Sequence, residues 1–498
     1  MQYLSTRGQV QPVQSAQAIK QGIAPDGGLF VPESFVNLSQ DKLRQLVDCD
    51  YQELASEILG GYLTDYTAEE IKDCITGAYN SDSFNHSDIA PVHSINDDLH
   101  VLELWHGPTC AFKDMALQLL PHLMSLAVSK TGEKNQVVIL VATSGDTGKA
   151  ALEGFKDVSG TSIIVFFPED GVSQVQKLQM LTQQGGNVSV VAVKGNFDDA
   201  QNGVKQVFAD AEFNKELQQR HYRLSSANSI NWGRLVPQIV YYFSSYLKLV
   251  KEDQLSIGKP VNFVVPTGNF GNILAGYYAK QMGLPINRLI CAANPNNVLT
   301  DFINTGVYNR SRDLLKTISP SMDILISSNL ERLLFELTGR DTAKVRSWMG
   351  ELKGQGRYEV DSAVKEKVQA YFWSDYATDE QTLNTIKQVW DEHHYLMDTH
   401  TAVAWHVYQN YQQQTGDNNK TIIASTASPF KFNASVAKAV LGSDKTAGED
   451  EFQLLDMLSQ RTGWEIPVGL KNLDKMQVLH NKKAPANGIG RAVDEILK

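Results

Sequence analysis

Short apolar runs rich in β-branched residues alternate with longer helical patterns from about residue 100 onward, and this alternation constrains the fold most strongly. The clearest runs are 137–142, 162–167, 188–193 and 261–265, with weaker runs at 288–292 and 421–424. Each clear run leads through a turn into a helical pattern. Strands that alternate with helices of ten or more residues form parallel sheets buried on both faces. The sequence therefore predicts an α/β fold with helix, sheet and helix layers.

The sequence pattern changes along the chain and divides it into a leading lobe, a core and an insertion. Residues 1–100 have helical periodicity and no strong strand run, which predicts a small, mostly helical N-terminal lobe. Residues 101–303 and 393–498 would form the α/β core in two lobes. Residues 304–392 are more charged and mostly helical, as expected of a helical insertion or subdomain. A chain of 498 residues, 42% of them hydrophobic, can bury two or three packed lobes.

Composition excludes several classes of function. The chain has 45 basic and 56 acidic residues, a net charge of −11, and no dense Lys/Arg cluster, so nucleic acid is not an expected partner. No window approaches the roughly 18 consecutive apolar residues of a membrane-spanning helix, and the first ten residues lack the apolar core of a secretory signal. We therefore expect a cytoplasmic protein. The four cysteines form no CxxC pair and are expected to be reduced thiols.

The most specific loop is 266–272, with the sequence PTGNFGN, between a predicted strand and a predicted helix at 273–280. Ligands of parallel sheets lie at the carboxyl ends of the strands. Two glycines allow close backbone approach, and free N–H groups at a helix start favour a phosphate. The GxGxxG spacing of dinucleotide folds is absent. The loop predicts a phosphate site, and a tight glycine turn is the alternative.

A second loop, 143–149 with the sequence TSGDTGK, follows the predicted strand at 137–142. A nucleotide P-loop needs four residues between its first glycine and the Gly-Lys pair, but only two separate Gly145 from Gly148. Hydroxyl side chains and N–H groups at a helix start suit a small carboxylate. A plain N-cap turn is again the alternative.

Lys113 lies in the segment HGPTCAFKD at 106–114, which leads into an apolar helical stretch at 115–128. A solvated surface charge is the ordinary role of such a lysine. If the amine is desolvated, it loses its proton more readily and can condense with a carbonyl, as Schiff-base lysines do.

Together these segments resemble the threonine synthase family, which consists of pyridoxal-phosphate (PLP) enzymes with the tryptophan-synthase-β-like fold. The resemblance runs through segments 3–8, 22–32, 106–114, 143–148, 226–234, 266–272, 396–402 and 425–432. It implies fold type II, with two open, twisted, mainly parallel sheets covered by helices. It also implies PLP as cofactor and the conversion of O-phospho-L-homoserine and water to L-threonine and phosphate.

The resemblance also implies roles for individual residues. The family's cofactor-binding lysine, which also moves protons, falls on Lys113. The cofactor phosphate would be held by the loop residues Gly268, Asn269, Phe270, Gly271 and Asn272, and the pyridine nitrogen by the hydroxyl of Thr426. The candidates for binding the substrate carboxylate are Thr143, Ser144 and Thr147. For the substrate phosphate Arg234 is the first candidate, because its fork matches phosphate, and Lys149 is the second.

Two further expectations concern neighbouring groups. Asp146 is acidic in a loop assigned to an anion, so we expect it to accept hydrogen bonds from nearby N–H groups. The histidines have no HExxH pair and His400 lies six residues from His406, so no metal is expected; His400 would stabilise the fold near the cofactor.

Two other functions remain open at the level of sequence. One is a PLP-dependent eliminating lyase or dehydratase that releases a 2-oxo acid from a related hydroxyamino or phospho-amino acid. The other is a protein that binds the cofactor or a phosphorylated ligand without turnover. The expected partner is a small-molecule substrate, and the chain would act as a monomer or homodimer.

Overall fold

The computed structural model describes residues 1–143 and 145–498, with the backbone alone at residue 198. The strands of this described part are β1 (Tyr3–Ser5), β2 (Phe30–Pro32), β3 (Val92–Ser94), β4 (Leu99–Glu103), β5 (Gln136–Ala142), β6 (Thr161–Pro168), β7 (Val188–Lys194), β8 (Tyr222–Ser225), β9 (Val261–Pro266), β10 (Ile286–Ala293), β11 (Val307–Asn309), β12 (Arg357–Glu359), β13 (Phe372–Tyr376), β14 (Thr421–Ser425) and β15 (Lys482–Pro485).

The helices of the same residues are α1 (Ser15–Gln21), α2 (Gln40–Gln45), α3 (Tyr51–Tyr62), α4 (Ala68–Ala78), α5 (Asp114–Leu117), α6 (Leu120–Lys130), α7 (Asp146–Phe155), α8 (Gln174–Leu181), α9 (Phe197–Ala209), α10 (Ala211–Gln219), α11 (Trp232–Lys251), α12 (Gly271–Gln281), α13 (Val298–Thr305), α14 (Leu330–Leu337), α15 (Thr342–Gln355), α16 (Ser362–Tyr371), α17 (Asp379–His393), α18 (Thr399–Thr415), α19 (Asn433–Leu441), α20 (Ser443–Thr446), α21 (Glu451–Thr462) and α22 (Ile489–Ile496). Short 3-10 helices lie at Pro320–Met322, Pro429–Phe432, Val468–Leu470, Leu473–Lys475 and Ala486–Gly488. None of the helices in the described residues is long and apolar enough to cross a membrane.

Two sheets form the framework. The larger has the strand order β13-β10-β9-β14-β4-β3, in which only β3, at one edge, runs antiparallel to its neighbour. The smaller has the order β15-β7-β6-β5-β8 and is parallel throughout. The predicted α/β class with two mainly parallel sheets is therefore confirmed.

Helices cover both faces of each sheet, which explains the continuous apolar runs. In β9 the side chains of Phe263 and Val265 enter one core cluster and Val264 enters another. In β5 the residues likewise alternate, with Ile139 in one cluster and Leu140 in another. Because successive side chains of a strand point to opposite faces, a strand buried on both faces must be apolar at every position.

All six predicted strands are confirmed, each as part of a slightly longer strand. The predicted apolar helix at 115–128 is divided into α5 and α6. The break has a physical reason, since Pro121 has no N–H to donate to the carbonyl of Leu117 four residues earlier. The helical stretch 304–392 also contains β13, which pairs with β10 and so supplies an edge strand of the larger sheet.

The carboxyl ends of five strands converge on one region. From the larger sheet, β4 leads to the loop that ends at Lys113, β14 leads to Thr426, and β9 leads to the loop 267–270. From the smaller sheet, β5 leads to Thr143 and β8 leads to the segment before α11. This is the position where open parallel sheets bind ligands.

Candidate active site

Lys113 is fixed by pairing between two segments that leave neighbouring strands. The Phe112 N–H donates to the Thr426 carbonyl (2.8 Å), and the Ser428 N–H donates to the Cys110 carbonyl (3.0 Å). The strands β4 and β14 are neighbours in the larger sheet, so these segments run side by side. Lys113 and Thr426 are therefore brought together although 313 residues separate them in sequence (426 − 113).

The amine of Lys113 is buried and has two polar partners. Its Nζ donates to Asp146 Oδ2 (3.1 Å) and to Ser321 Oγ (3.3 Å), and it lies 4.7 Å from the centre of the Phe112 ring. Burial lowers the pKa of Lys113 below its usual range, although Asp146 opposes this shift. The side chain is thus the desolvated amine that covalent chemistry requires, not a solvated surface charge.

The side-chain carboxylate of Asp146 lies between two lysines. Besides Lys113 it pairs with Lys431, whose Nζ lies 3.0 Å from Asp146 Oδ1, and it accepts a hydrogen bond from Gln176 Nε2 (2.9 Å). Burial alone would raise the pKa of Asp146, but Lys431 and then Lys113 hold it well below its usual range. Asp146 thus accepts bonds from nearby N–H groups, as expected, but these donors belong to side chains of other segments and two of them are cations.

The loop between β9 and α12 has the shape of a cup built from backbone. Phe270 has a left-handed conformation (φ 60°), and its ring packs on that of Phe372 with the centroids 5.5 Å apart. A Cβ at Gly268 would lie 2.9 Å from the Ser321 carbonyl oxygen, so only glycine fits there without movement. The helix α12 begins at Gly271, which places the N–H groups of its first turn beside the loop.

Residues of the stretch 304–392 hold this cup in place. Ser327 Oγ donates to the Gly268 carbonyl (2.7 Å), and Asn329 Nδ2 donates to the Asn269 carbonyl (3.0 Å). Asn329 is bonded in turn by the buried guanidinium of Arg332, which also donates to the Phe30 carbonyl (3.0 Å). The loop carbonyls are thereby occupied by protein donors.

The hydrogen bonding of the Asn272 side chain indicates whether an anion fits the cup. Its Oδ1 accepts hydrogen bonds from Tyr241 (2.6 Å) and Tyr242 (2.8 Å), which fixes the amide. Its Nδ2 is buried and has no hydrogen-bond partner in the described residues. A buried donor without a partner is costly, so this atom, with the N–H groups of the first turn, fits a bound phosphate.

The remaining predicted residues lie on the side of the smaller sheet. The Thr143 hydroxyl accepts hydrogen bonds from the N–H groups of Gly145 and Gly148 (both 2.9 Å), so it stabilises its own turn. Thr147 is half-buried in the first turn of α7. Lys149 pairs with Glu153 (2.9 Å) and contacts Gln183. Ser144 lies outside the described residues.

Arg234 is a buried cation at the start of α11. Its Nη1 donates to the Ala227 carbonyl (2.6 Å), while its Nε is buried and has no partner in the described residues. Burial lowers its pKa to about 10, and no carboxylate of the described residues contributes to this shift. A buried guanidinium without a carboxylate is a favourable site for an anionic ligand.

His400 stabilises the segment that contains Ser321, the hydroxyl partner of Lys113. Its Nδ1 is 2.8 Å from Asp398 Oδ1, and its Nε2 accepts a hydrogen bond from the Ser321 N–H (3.1 Å). This agrees with the expected structural role. In the described part of the chain no three His, Cys, Asp or Glu side chains are grouped as metal ligands would be.

Three residues of the site have no assignment from the sequence: Ser321, Gln176 and Lys431. Lys431 lies in the segment 425–432 on which the family resemblance depends, and this was a usable signal. Ser321 lies 208 residues from Lys113 in the stretch of weakest resemblance. No local pattern marks Ser321 or Gln176.

Three family models match the chain. The model described as threonine synthase N terminus matches residues 2–79, the model of pyridoxal-phosphate dependent enzymes matches residues 91–426, and the model of the threonine synthase C-terminal part matches residues 401–463. The second covers more than half of the chain and includes Lys113, Asp146, Arg234, the loop 266–272 and Thr426, whereas Lys431 lies in the range of the third.

Curated relatives and a solved structure agree with these matches. Human threonine synthase-like 1 is 42% identical over 435 residues, which are 85% of this chain; the chain spans only 58% of the length of that relative. Threonine synthase of Schizosaccharomyces pombe is 38% identical over 88% of this chain and 89% of its own. The crystal structure of PLP-bound threonine synthase from Brucella melitensis superposes with a TM-score of 0.87 at 36% identity, over 100% of this chain and 98% of that one.

Proposed function

The chain belongs to the threonine synthase family of pyridoxal-phosphate-dependent enzymes, and from this membership we propose that it converts O-phospho-L-homoserine and water to L-threonine and phosphate. The observation that carries the proposal is the buried Lys113 amine: burial lowers its pKa, the adjacent Phe112 is hydrogen-bonded to the Thr426 carbonyl, and the amine's partner Ser321 lies against Gly268 of the cup. A lysine in this environment is suited to a covalent bond with an aldehyde.

The residues present fit pyridoxal phosphate. The donors of the loop Gly268–Asn272, including the unpartnered Asn272 amide, would hold the cofactor phosphate. The Thr426 hydroxyl would face the pyridine nitrogen, and Lys113 would hold the aldehyde carbon as a Schiff base. When bound, the cofactor withdraws electrons from Cα of the substrate and so makes the protons of Cα and Cβ removable.

Lys113 is the group that would move those protons. Besides holding the cofactor, the Lys113 amine would accept the Cα proton of the substrate and then exchange a proton at Cβ. Asp146 and Ser321 lie within hydrogen-bond distance of this amine, so they limit its orientation. One base can serve both carbons because they are adjacent.

The substrate anions would be bound on the side of the smaller sheet. Arg234 would hold the substrate phosphate, because it is a buried guanidinium with an unpartnered Nε. Lys149 is the second candidate, although its pair with Glu153 would have to open. The substrate carboxylate would bind to the turn that begins at Thr143 and includes Ser144 and Thr147.

Product identification tests the proposal. Purified protein loaded with pyridoxal phosphate is incubated with O-phospho-L-homoserine, and free phosphate and amino-acid products are followed together by mass spectrometry. Threonine released in step with phosphate is expected. Phosphate accompanied by 2-oxobutyrate would identify an eliminating lyase instead, and the absence of both products would contradict the proposed substrate or catalysis itself.

A further inference from the structure

Lys431 is a second lysine buried in the site. It lies in the 3-10 helix Pro429–Phe432 directly after β14, and its side chain has no exposed surface. Its Nζ is 3.0 Å from Asp146 Oδ1 and donates to the Thr109 carbonyl (2.8 Å). Burying an ammonium group completely is costly, so its one carboxylate partner is essential to it.

Asp146 is shared between this lysine and Lys113, one on each carboxylate oxygen. Lys431 contacts Oδ1 and Lys113 contacts Oδ2, and Gln176 and Ser321 donate to the same two oxygens. The Asp146 carboxylate therefore has four hydrogen-bond donors and forms an exclusive ion pair with neither lysine. Two cations share one anion.

Other charged or titratable groups around this trio are already engaged or cationic. Arg234 adds positive charge near Lys113. The Asp114 carboxylate accepts from the N–H and hydroxyl of Thr109, and Lys149 pairs with Glu153. The remaining groups are the buried Cys110 thiol and His400, which reaches Lys113 only through Ser321. The cluster thus has an excess of positive charge.

We propose that Lys431 is a positioning residue that prevents Asp146 from forming an exclusive ion pair with Lys113, so that the Lys113 amine can lose its proton and bond to an aldehyde carbon. The inference rests on the proposed function in that the aldehyde is taken to be that of pyridoxal phosphate. In this step the ammonium first releases a proton to solvent; the neutral amine then adds to the aldehyde carbon, a C=N bond replaces the C=O bond, and the oxygen leaves as water with the two hydrogens of the amine.

The direction of the effect follows from the charges. Without Lys431, Asp146 would stabilise only the protonated form of Lys113, and the neighbouring positive charge that favours the neutral amine would be lost. The pKa of Lys113 would rise. A pKa shift of one unit changes the neutral fraction of the lysine about tenfold at a fixed pH below the pKa.

The experiment measures the rate at which cofactor-free protein captures pyridoxal phosphate, followed by its absorbance in a stopped-flow instrument across pH. For Lys431→Met we expect the midpoint of the rate profile to move up by about one pH unit, with roughly tenfold slower capture at pH 7. Lys431→Arg keeps the charge and should retain most of the wild-type profile. Lys20→Met is the matched control, because Lys20 is buried in α1 and pairs with Glu133 (3.4 Å) in a different cluster.

Asp146→Asn keeps the shape of the site and gives an independent test if Lys431→Met does not fold. It removes the anion, so the midpoint should move down instead of up. Wild-type midpoints in both Lys431→Met and Asp146→Asn would overturn the inference while the proposed function stands. Failure of the wild-type protein to capture pyridoxal phosphate would overturn the proposed function and the inference with it.

Discussion

The two sheets supply the candidate site with chemically different parts. Loops after β4, β9 and β14 of the larger sheet supply Lys113, a backbone cup and Thr426, and most polar groups of these loops are bonded to other protein groups. Segments after β5 and β8 of the smaller sheet supply hydroxyls and the buried Arg234, whose Nε has no partner in the described residues. The larger sheet's side of the site is preformed by backbone, whereas the smaller sheet's side has a cation, Arg234, that is not paired with a carboxylate of the described residues.

This difference indicates a division of labour between a resident cofactor and a substrate that comes and goes. A resident group is best held by rigid loops whose backbone is already fixed by hydrogen bonds, because little conformational entropy is then lost on binding. A transient anion is best captured by an unpaired cation. Asp146 joins the two sides, because it begins α7, which follows β5 of the smaller sheet, and it bonds Lys113 and Lys431 in segments that follow strands of the larger sheet.

The largest effect should come from Lys113 itself. Lys113→Ala should lower kcat by about 10³-fold or more, because both the covalent attachment and the mobile base are lost. Lys113→Arg keeps the positive charge beside Asp146 and should be equally inactive, since guanidinium does not deprotonate. Turnover rates and far-UV circular dichroism check both variants. Near-normal turnover in either would exclude Lys113 as the catalytic group.

Arg234→Ala tests the smaller sheet's side alone. Loss of a charged hydrogen-bond donor should raise KM for O-phospho-L-homoserine about 10- to 100-fold while the affinity for pyridoxal phosphate changes little. Arg234→Lys keeps the charge without the fork and should give an intermediate KM. Steady-state kinetics and a cofactor titration measure the two quantities. A KM that stays at the wild-type value would move the phosphate site to Lys149.

Gly268→Ala tests the larger sheet's side and should have the smallest effect of the three. The new methyl group would meet the Ser321 backbone at 2.9 Å, and a displacement of this kind costs about 1–3 kcal/mol. We expect the affinity for pyridoxal phosphate to fall about tenfold by absorbance titration, with KM nearly unchanged. Gly350→Ala is the control, since no atom lies within 4 Å of its added methyl group. Equal effects on cofactor affinity and KM would remove the distinction between the two sides.

The strands that sequence patterns predicted are those buried on both faces. Three of the missed strands mix polar and apolar residues for physical reasons. At the sheet edges, β13 (FWSDY) and β8 (YRLS) have one neighbour each, so they need less apolar surface. The strand β4 (LHVLE) is nearly all buried but contains His100 and Glu103, which interrupt the apolar run.

The site was predictable where its functional residues lie together in one loop. The cup at 266–272 and the segment ending at Lys113 are continuous in sequence, so glycine spacing and helix starts mark them. Ser321 and the Asp146–Lys431 pair arise from contacts between distant segments, and no periodicity encodes such contacts. Whether an aspartate meets two lysines or the backbone N–H groups of its own turn depends on tertiary packing, as the contacts of Asp146 illustrate.

The pairing of β4 with β14 has a consequence for how the chain is made. Leu99 pairs with Thr421, which is synthesised 322 residues later (421 − 99). At about 5–20 residues per second, a ribosome needs tens of seconds to cover that distance. During this time the apolar edge of β4 has only β3 beside it and is open to pairing with other chains. We therefore expect newly made chains that stop before residue 421 to aggregate and to depend on chaperones, whereas the finished chain does not.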